Sequence, residues 1–352
     1  MKFSTVLSDF MTGKFGSMVL KNPRYISFGI GVAKHQNKLC RRRNSLFDAG
    51  LIVPPTLILS VTEKCNLDCD GCYAKAHDRL VDELNDSQLL SITKQARDLG
   101  ISVAFLAGGE PFTRHVIFDM ASNNPEVIFP VFTNGTLIDD LVLERLSKHL
   151  NLIPIISIEG YEKETDCRRG DGTFAQVLDV AKRLKSNRLM FGVSITTTHE
   201  NIEQVTSPEF TEYVESIGAN TAFYIEYVPI RKGTESLCLR VDERNRLNQF
   251  VDSKQDDSNM LYISLPGDEE RYGGCLAAGN GFLHISSSGD VEPCPFAPLS
   301  DCNLKNMSLR EALESKLMRT IRANHNALKE GEGGCALWAN KNMFAQLREN
   351  AR

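Results

Sequence analysis

The sequence predicts an α/β protein built on a parallel sheet, and two observations lead there. From about residue 50 onward, short apolar runs rich in β-branched and aromatic residues alternate with segments of helical periodicity, giving about six β-then-α units in succession. Several of the apolar runs end in Gly, Asn, Glu or Cys, residue types suited to loops that carry chemistry. Such a sheet is either an open doubly wound fold or a barrel, complete or partial. In each case functional residues are expected at the C-terminal ends of the strands.

The elements follow in order. Residues 1–52 read as an N-terminal helical extension, two short helices packed outside the sheet. The first strand, "TLILSV" (Thr56 to Val61), runs directly into "KCNLDCDGCYAKAHDR". A helix is expected in "NDSQLLSITKQARDLG", capped by Asp86 or Ser87 and stopped by Gly100, with Leu89, Ile92, Ala96 and Leu99 on one face. "SVAFLAGGEP" is a strand ending in a turn at Gly108 and Gly109. "VIFPVFTNG", "LIPIISIEG", "MFGVSITTT" and "TAFYIEYVPI" are further strands, with helices around 113–122, 138–149, 174–185 and 208–217. The pattern changes after about residue 232. A polar helix at 242–254 leads into "LHISSSGDVEPCPF", a short β-hairpin turning at Ser287 to Asp290. A helix at 308–323 and the glycine-rich "GEGGCALW" follow. The expected division is 1–52, 53–232 and 233–352.

The chain of 352 residues is 42% hydrophobic and 24% charged, ordinary for a globular protein. A formal charge of −5 and a pI near 5.9 argue against a dedicated nucleic-acid binder, and the basic run "LCRRRN" (Leu39 to Asn44) reads as a solvated surface turn. No window approaches the roughly 18 to 20 apolar residues of a membrane span, and the N-terminus lacks signal-peptide order. A cytoplasmic location is expected, where disulfides rarely persist. The clustering among the ten cysteines then points to metal or redox chemistry.

Cys65, Cys69 and Cys72 fall within eight residues. At this cysteine content a C-x3-C-x2-C arises by chance with a probability of roughly 0.01 over the chain, so three small buried neighbours are the weaker reading. Zinc accepts thiolates, but a structural zinc site closes with four ligands, often from two CxxC pairs, and the spacing does not fit that. Iron–sulfur clusters take thiolates from one short loop. Three ligands leave one iron open to a substrate or cosubstrate.

"CNLDCDGCY" directly after a first strand resembles the cluster loop of the radical S-adenosylmethionine (radical SAM) superfamily. The resemblance implies that Cys65, Cys69 and Cys72 hold a [4Fe–4S] cluster whose fourth iron is chelated by SAM. It also implies reductive cleavage of SAM to a 5′-deoxyadenosyl radical that takes hydrogen from a substrate, and an electron donor such as flavodoxin or ferredoxin. Other segments share the likeness. "AGGEP" (Ala107 to Pro111) stands where the family has its GGE segment, implying SAM contacts at Gly108, Gly109 and Glu110. "FTNGTL" and "ISIEG" resemble family strand ends and bring in Asn134, Ser157 and Glu159. Arg168 or Arg169 in "CRRGDGTF" resembles the arginine segment that follows; an ion pair on the surface is the plain alternative for them. Tyr73, Thr196, Asn201 and Tyr227 complete the implied cofactor space, with strand-end packing as the alternative for the last three. The likeness covers roughly residues 54–230 and implies a partial (β/α)6 TIM-like barrel.

"CLAAGNGFLHISSSGDVEPCPF" resembles the start of the SPASM and Twitch extensions, which bind auxiliary iron–sulfur clusters. Four cysteines here, Cys275, Cys294, Cys302 and Cys335, fit the one-cluster Twitch type better than the two-cluster SPASM. Cys275, Cys294 and Cys335 are the expected ligands, with Cys302 as a fourth candidate. A zinc knuckle or buried thiols is the alternative. Cys40, Cys167 and Cys238 read as ordinary thiols. The expected function is therefore a radical SAM enzyme, in peptide or protein modification or else in small-molecule or cofactor synthesis. The stretch before the first strand is shorter than the leader-binding domain of many peptide-modifying relatives, which weighs against the peptide reading without excluding it. The reading from another class is a non-catalytic iron–sulfur or zinc protein.

Overall fold

Nine strands form one sheet in the computed structural model, which describes residues 22–76, 82–258, 260–266, 274–325, 328 and 335–340. They are β1 (Thr56–Thr62), β2 (Val103–Gly108), β3 (Phe129–Thr133), β4 (Leu152–Ile158), β5 (Gly192–Thr197), β6 (Thr221–Glu226), β7 (Leu261–Leu265), β8 (Phe282–Ile285) and β9 (Val291–Glu292). Their order is β7-β6-β5-β4-β3-β2-β1-β8-β9. All pairs are parallel except β8–β9.

Both faces of this sheet are covered, which is why its strands read as nearly unbroken apolar runs. Leu57, Leu59 and Val61 of β1, Leu106 of β2 and Val131 of β3 belong to the large core under the helices. Alternate residues face the other way. There Phe105 of β2 lies 6.1 Å from Phe223 of β6, and Phe132 of β3 lies 5.3 Å from Phe223. Strands three and four places apart in the sheet touch through these rings, so the sheet curls into a partial barrel.

The helices are α1 (Ile26–Asp48), α2 (Asp86–Leu99), α3 (Val116–Asn123), α4 (Asp140–Lys148), α5 (Glu162–Arg169), α6 (Thr173–Ser186), α7 (Ile202–Val205), α8 (Pro208–Ile217), α9 (Val241–Asp257), α10 (Leu309–Leu313), α11 (Lys316–Ala323) and α12 (Ala336–Ala339). Several expectations need correction. The cap of α2 is Asn85, not Asp86 or Ser87: its side chain accepts from Gln88 N at 3.0 Å while Gln88 Oε1 accepts from Asn85 N at 2.8 Å. Asp86 is taken up by Arg114 instead. Gly100 does end the helix, in the left-handed conformation at φ 100°. The expected helix at 308–323 is two helices, because Ser315 starts a new one by accepting from Met318 N.

Before β1 the described residues form a 3-10 turn at Pro23–Tyr25 and the long helix α1; residues 1–21, where the rest of the expected helical extension falls, lie outside the description. "LCRRRN" lies inside α1, and Arg43 is buried with its guanidinium on Gly100 O. Tyr25 and Val32 pack on Val103, Ile128, Met190 and Leu261, all at the starts of strands. Tyr25 Oη accepts from Met190 N at 3.0 Å. The N-terminal segment thus closes the bottom of the barrel and leaves the strand C-termini open.

The sheet also continues past residue 232. β7 extends one edge, and β8, expected only as half of a hairpin, pairs with β1 and extends the other. The hairpin itself forms, with Gly289 at φ 91° in its turn. Among the described residues no helix is long and apolar enough to cross a membrane.

Candidate functional site

The loop after β1 is anchored at its first residues. Glu83 accepts from Thr62 Oγ1 at 3.0 Å and Glu63 N at 2.8 Å. The end of β2 docks beside it, Gly109 N donating to Thr62 O at 2.7 Å and Glu110 N to Lys64 O at 2.8 Å. This approach explains the two glycines. A Cβ on Gly108 would stand 2.3 Å from Thr62 O, and one on Gly109 2.2 Å from Lys64 O. A Cβ on Gly71, at φ 63°, would stand 2.9 Å from the Tyr227 hydroxyl. The "GGE" segment is therefore part of the architecture of the cysteine loop, whatever else it binds.

Cys65, Cys69 and Cys72 are half-buried free thiols in that loop. Cys65 Sγ faces Leu67 N at 3.5 Å and Asn134 Nδ2 at 3.8 Å. Burial pushes the Cys69 thiol up, Arg169 and Arg168 draw it down, and neighbouring Cys72 and Cys65 add to the rise. Cys65 and Cys72 thus both lie near the Cys69 thiol. Tyr73 packs edge-on against Phe296 at 5.7 Å; burial, then Cys72 and Glu63, push its hydroxyl far up.

The strand ends beyond β2 complete a rim. Glu110, wholly buried, accepts from Thr133 Oγ1, Asn134 N and Phe112 N at 2.8, 2.8 and 3.0 Å. Burial outweighs these donors and raises its carboxyl above the ordinary value. Asn134 reaches back to Asn66 Oδ1 at 2.9 Å, tying β3 to the cysteine loop. Glu159, past the end of β4, accepts from Arg168 Nη1 at 2.6 Å, Arg169 Nε at 2.8 Å and Thr196 N at 3.0 Å. Arg168 also donates to Thr196 Oγ1 at 2.6 Å and to Asp70 O at 3.1 Å, while Asp70 N donates to Arg168 O at 2.9 Å. These arginines form a partly buried ion cluster that clasps the cysteine loop between Cys69 and Cys72. Burial works against the Arg168 cation, yet Glu159, Cys69 and Cys72 hold it above its ordinary value. Asn201 bridges Glu159 O and Thr196 O. Ser157 sits buried on β4 and Tyr227 is buried past β6.

The helix α5 that carries Arg168 and Arg169 escaped the sequence reading. Its eight residues are nearly all polar and give no apolar stripe.

Cys275, Cys294 and Cys335 are buried together. Cys294 is hydrogen-bonded to Cys335 and close to Cys275; that contact and burial raise its thiol strongly. Cys302 stands apart, its thiol facing Asp301, Ser315 and Ser300 and pushed up to about 12 by burial and Asp301. The structure therefore brings three of the four C-terminal cysteines together.

Buried thiols resist ionisation unless a cation takes up their charge, so Cys275, Cys294 and Cys335 suit a metal centre, while the half-buried Cys65, Cys69 and Cys72 offer three thiols on one loop. Among the described residues no three His, Cys, Asp or Glu side chains converge as ligands of a single metal ion. A cubane cluster asks for a different arrangement, with each thiolate on its own iron.

The two cysteine regions meet on the inner face of the barrel. Ser287 Oγ donates to Glu63 at 2.6 Å. Ser60 Oγ lies 2.8 Å from His284 Nε2, and His284 Nδ1 lies 2.8 Å from Glu292 Oε2. A small crevice beside this array is lined by Ser60, Glu63, Tyr73, His284 and Glu292. No motif announced this array; the β1–β8 pairing assembles it from residues 224 positions apart.

Residues 59–207 match the family model of the radical SAM superfamily. The chain is 25% identical to the AdoMet-dependent heme synthase of Methanosarcina barkeri, over 85% of this chain and 92% of that protein. It is 26% identical to the mycofactocin maturase MftC of Mycobacterium tuberculosis, over 86% of this chain and 75% of that protein. The crystal structure of Streptococcus suis SuiB bound to precursor peptide SuiA superimposes with a TM-score of 0.67 at 19% identity, covering 85% of this chain and 73% of that one. The last likeness is one of fold.

Proposed function

The chain belongs to the radical SAM superfamily, whose enzymes use S-adenosylmethionine with a [4Fe–4S] cluster, and from that premise we propose that it modifies a peptide or protein. In this reading Cys65, Cys69 and Cys72 hold the cluster. A [4Fe–4S] cluster bound there would supply the electron for reductive cleavage of SAM. The observation that supports the assignment is the docking of Gly109 and Glu110 onto the first residues of the cysteine loop, which fixes the backbone end of β2 directly before Cys65.

The chain's own residues have separate tasks. Gly108 and Gly109 keep side chains out of the SAM space, while Glu110 locks the end of β2 to the end of β3. Asn134, Ser157, Glu159 and Thr196 present polar groups along the rim. Arg168 and Arg169 neutralise Glu159 and fix the loop around Asp70. Tyr73 fills the space between the two cysteine regions. Cys275, Cys294 and Cys335 hold an auxiliary cluster, and Cys302 supports the fold beside it. Ten free cysteines suit a reducing cytoplasm, where a flavodoxin or ferredoxin would deliver the electron.

Peptide modification is favoured by the maturase relative that matches across most of this chain. A small-molecule reading, with an iron tetrapyrrole as substrate, has its own support in the heme synthase, 92% of whose length is matched. Anaerobic incubation of the reconstituted enzyme with SAM, dithionite and short peptides encoded beside its gene separates them. A peptide mass change with several-fold more 5′-deoxyadenosine is expected. Conversion of an iron porphyrin with every peptide unchanged would reverse the assignment.

A further inference from the structure

We propose that the interior of the barrel receives an uncharged, apolar side chain of the peptide, and that Phe105, Phe132 and Phe223 select it. The proposal rests on the peptide reading above for the molecule that carries this side chain.

The inner face of the sheet keeps solvent contact that the outer face lacks. Leu57, Leu59, Leu106 and Val131 point outward to the helices and are fully buried. Their chain neighbours Ile58, Phe105 and Phe132 point inward and remain partly exposed. The same alternation holds across the barrel. Tyr224, Tyr262 and Ser264 are buried, while Ile225, Ile263 and Leu265 are partly exposed. Apolar residues turned to the inside of a barrel meet solvent only where the inside is hollow, so a lumen stands below the open strand ends.

The lumen has an aromatic floor and a neutral wall. The rings of Phe105 and Phe132 lie 5.9 Å apart, and both contact Phe223 from the opposite side, at 6.1 and 5.3 Å. Phe105 and Ile263 rest in turn on the cluster of Tyr25, Val32 and strand starts that closes the bottom. Register partners in a parallel pair share a face of the sheet, so the pairing sets what stands one step above the rings. Ser60 lies beside Ala107, Ser157 stands on β4, and Thr196, Ile225 and Leu265 run side by side. None of these carries charge. Among the described inward residues of β1 to β8, His284 is the one ionisable side chain, and its nitrogens are engaged by Ser60 and Glu292. At the rim, Glu110 and Glu159 are taken up by their own donors.

Charge complementarity then defines the occupant. A carboxylate or ammonium brought onto this floor would lose its water and find no opposite charge there. An aromatic or branched aliphatic side chain gives up nothing polar and gains contact with three rings. The partly exposed faces of Phe105 and Phe132 are the surface such a group would cover.

Blocked amino acids serve as probes for the reconstituted full-length protein, with SAM present and no reductant. Binding of N-acetyl-4-fluorophenylalanine methylamide is followed by fluorine NMR, and it is competed with the N-acetyl methylamides of leucine, aspartate and lysine. The leucine compound is expected to displace the probe, and the aspartate and lysine compounds to bind roughly tenfold more weakly or worse. Phe132→Asp should abolish probe binding and Phe132→Leu should keep it, with iron per chain and circular dichroism confirming assembly. Phe132→Trp, which fills the lumen without adding charge, should weaken the probe as well. A wild type that does not bind the probe, charged compounds that compete as well as the leucine one, or binding untouched by Phe132→Asp and Phe132→Trp would overturn the proposal. Failure of the peptide reading would show separately, as unchanged peptide masses with this order of binding intact.

Discussion

At Gly109 a single methyl group decides whether the second strand can reach the cysteine loop. The neighbour a Cβ would strike is the carbonyl oxygen of Lys64, a backbone atom that cannot rotate away. Gly109→Ala is expected to cost about 2 to 4 kcal/mol of stability, read by denaturant unfolding, because loop and strand must part. It should also lower the iron bound per chain on reconstitution. Cys302 offers a contrast. With its thiol pushed up to about 12, roughly one molecule in ten thousand carries the thiolate at pH 8, since burial and Asp301 both oppose ionisation. Iodoacetamide should therefore alkylate exposed Cys167 long before Cys302, as peptide mapping would show. Rapid labelling of Cys302 would contradict this account of its surroundings.

Among the elements, α2 illustrates how local chemistry and tertiary demand divide the work. The sequence stretch announces a helix and its glycine stop. The true start is decided by Asn85, whose side chain pairs with Gln88 while Asp86 turns to Arg114. Asn85→Ala should destabilise the protein by about 1 kcal/mol, a fall of a few degrees in Tm. Legibility in the sequence followed burial. β1 to β6 could be read because both faces are covered and each strand is a run of apolar residues. β7 and β8 were harder, as they lie beyond the regular alternation and join the sheet only through long-range pairing. The polar α5 carries no periodic signal, although Arg168 and Arg169 on it could be noted by motif. Cys65, Cys69 and Cys72 were legible from spacing alone. The grouping of Cys275 and Cys294 with Cys335, and the separation of Cys302, depend on chain folding that spacing does not encode.

At the scale of the whole molecule, the barrel is closed at one end and equipped at the other. The N-terminal segment packs on the starts of strands, so polar groups collect where the strands finish. The β8–β9 hairpin then lays the C-terminal cysteine region along β1, on the side of the sheet that carries the first cysteine loop. That arrangement joins the sequence motif to a mechanism, and its central claim is that Cys65, Cys69 and Cys72 hold the cluster at which SAM is cleaved. The most direct measurement is the yield of 5′-deoxyadenosine from anaerobically reconstituted protein given SAM, dithionite and the peptide or porphyrin substrate. Wild type should form it, and Cys69→Ala should form none while its iron falls from about eight to about four per chain. Full iron loading of the wild type with no 5′-deoxyadenosine, or undiminished cleavage in Cys69→Ala, would contradict the claim.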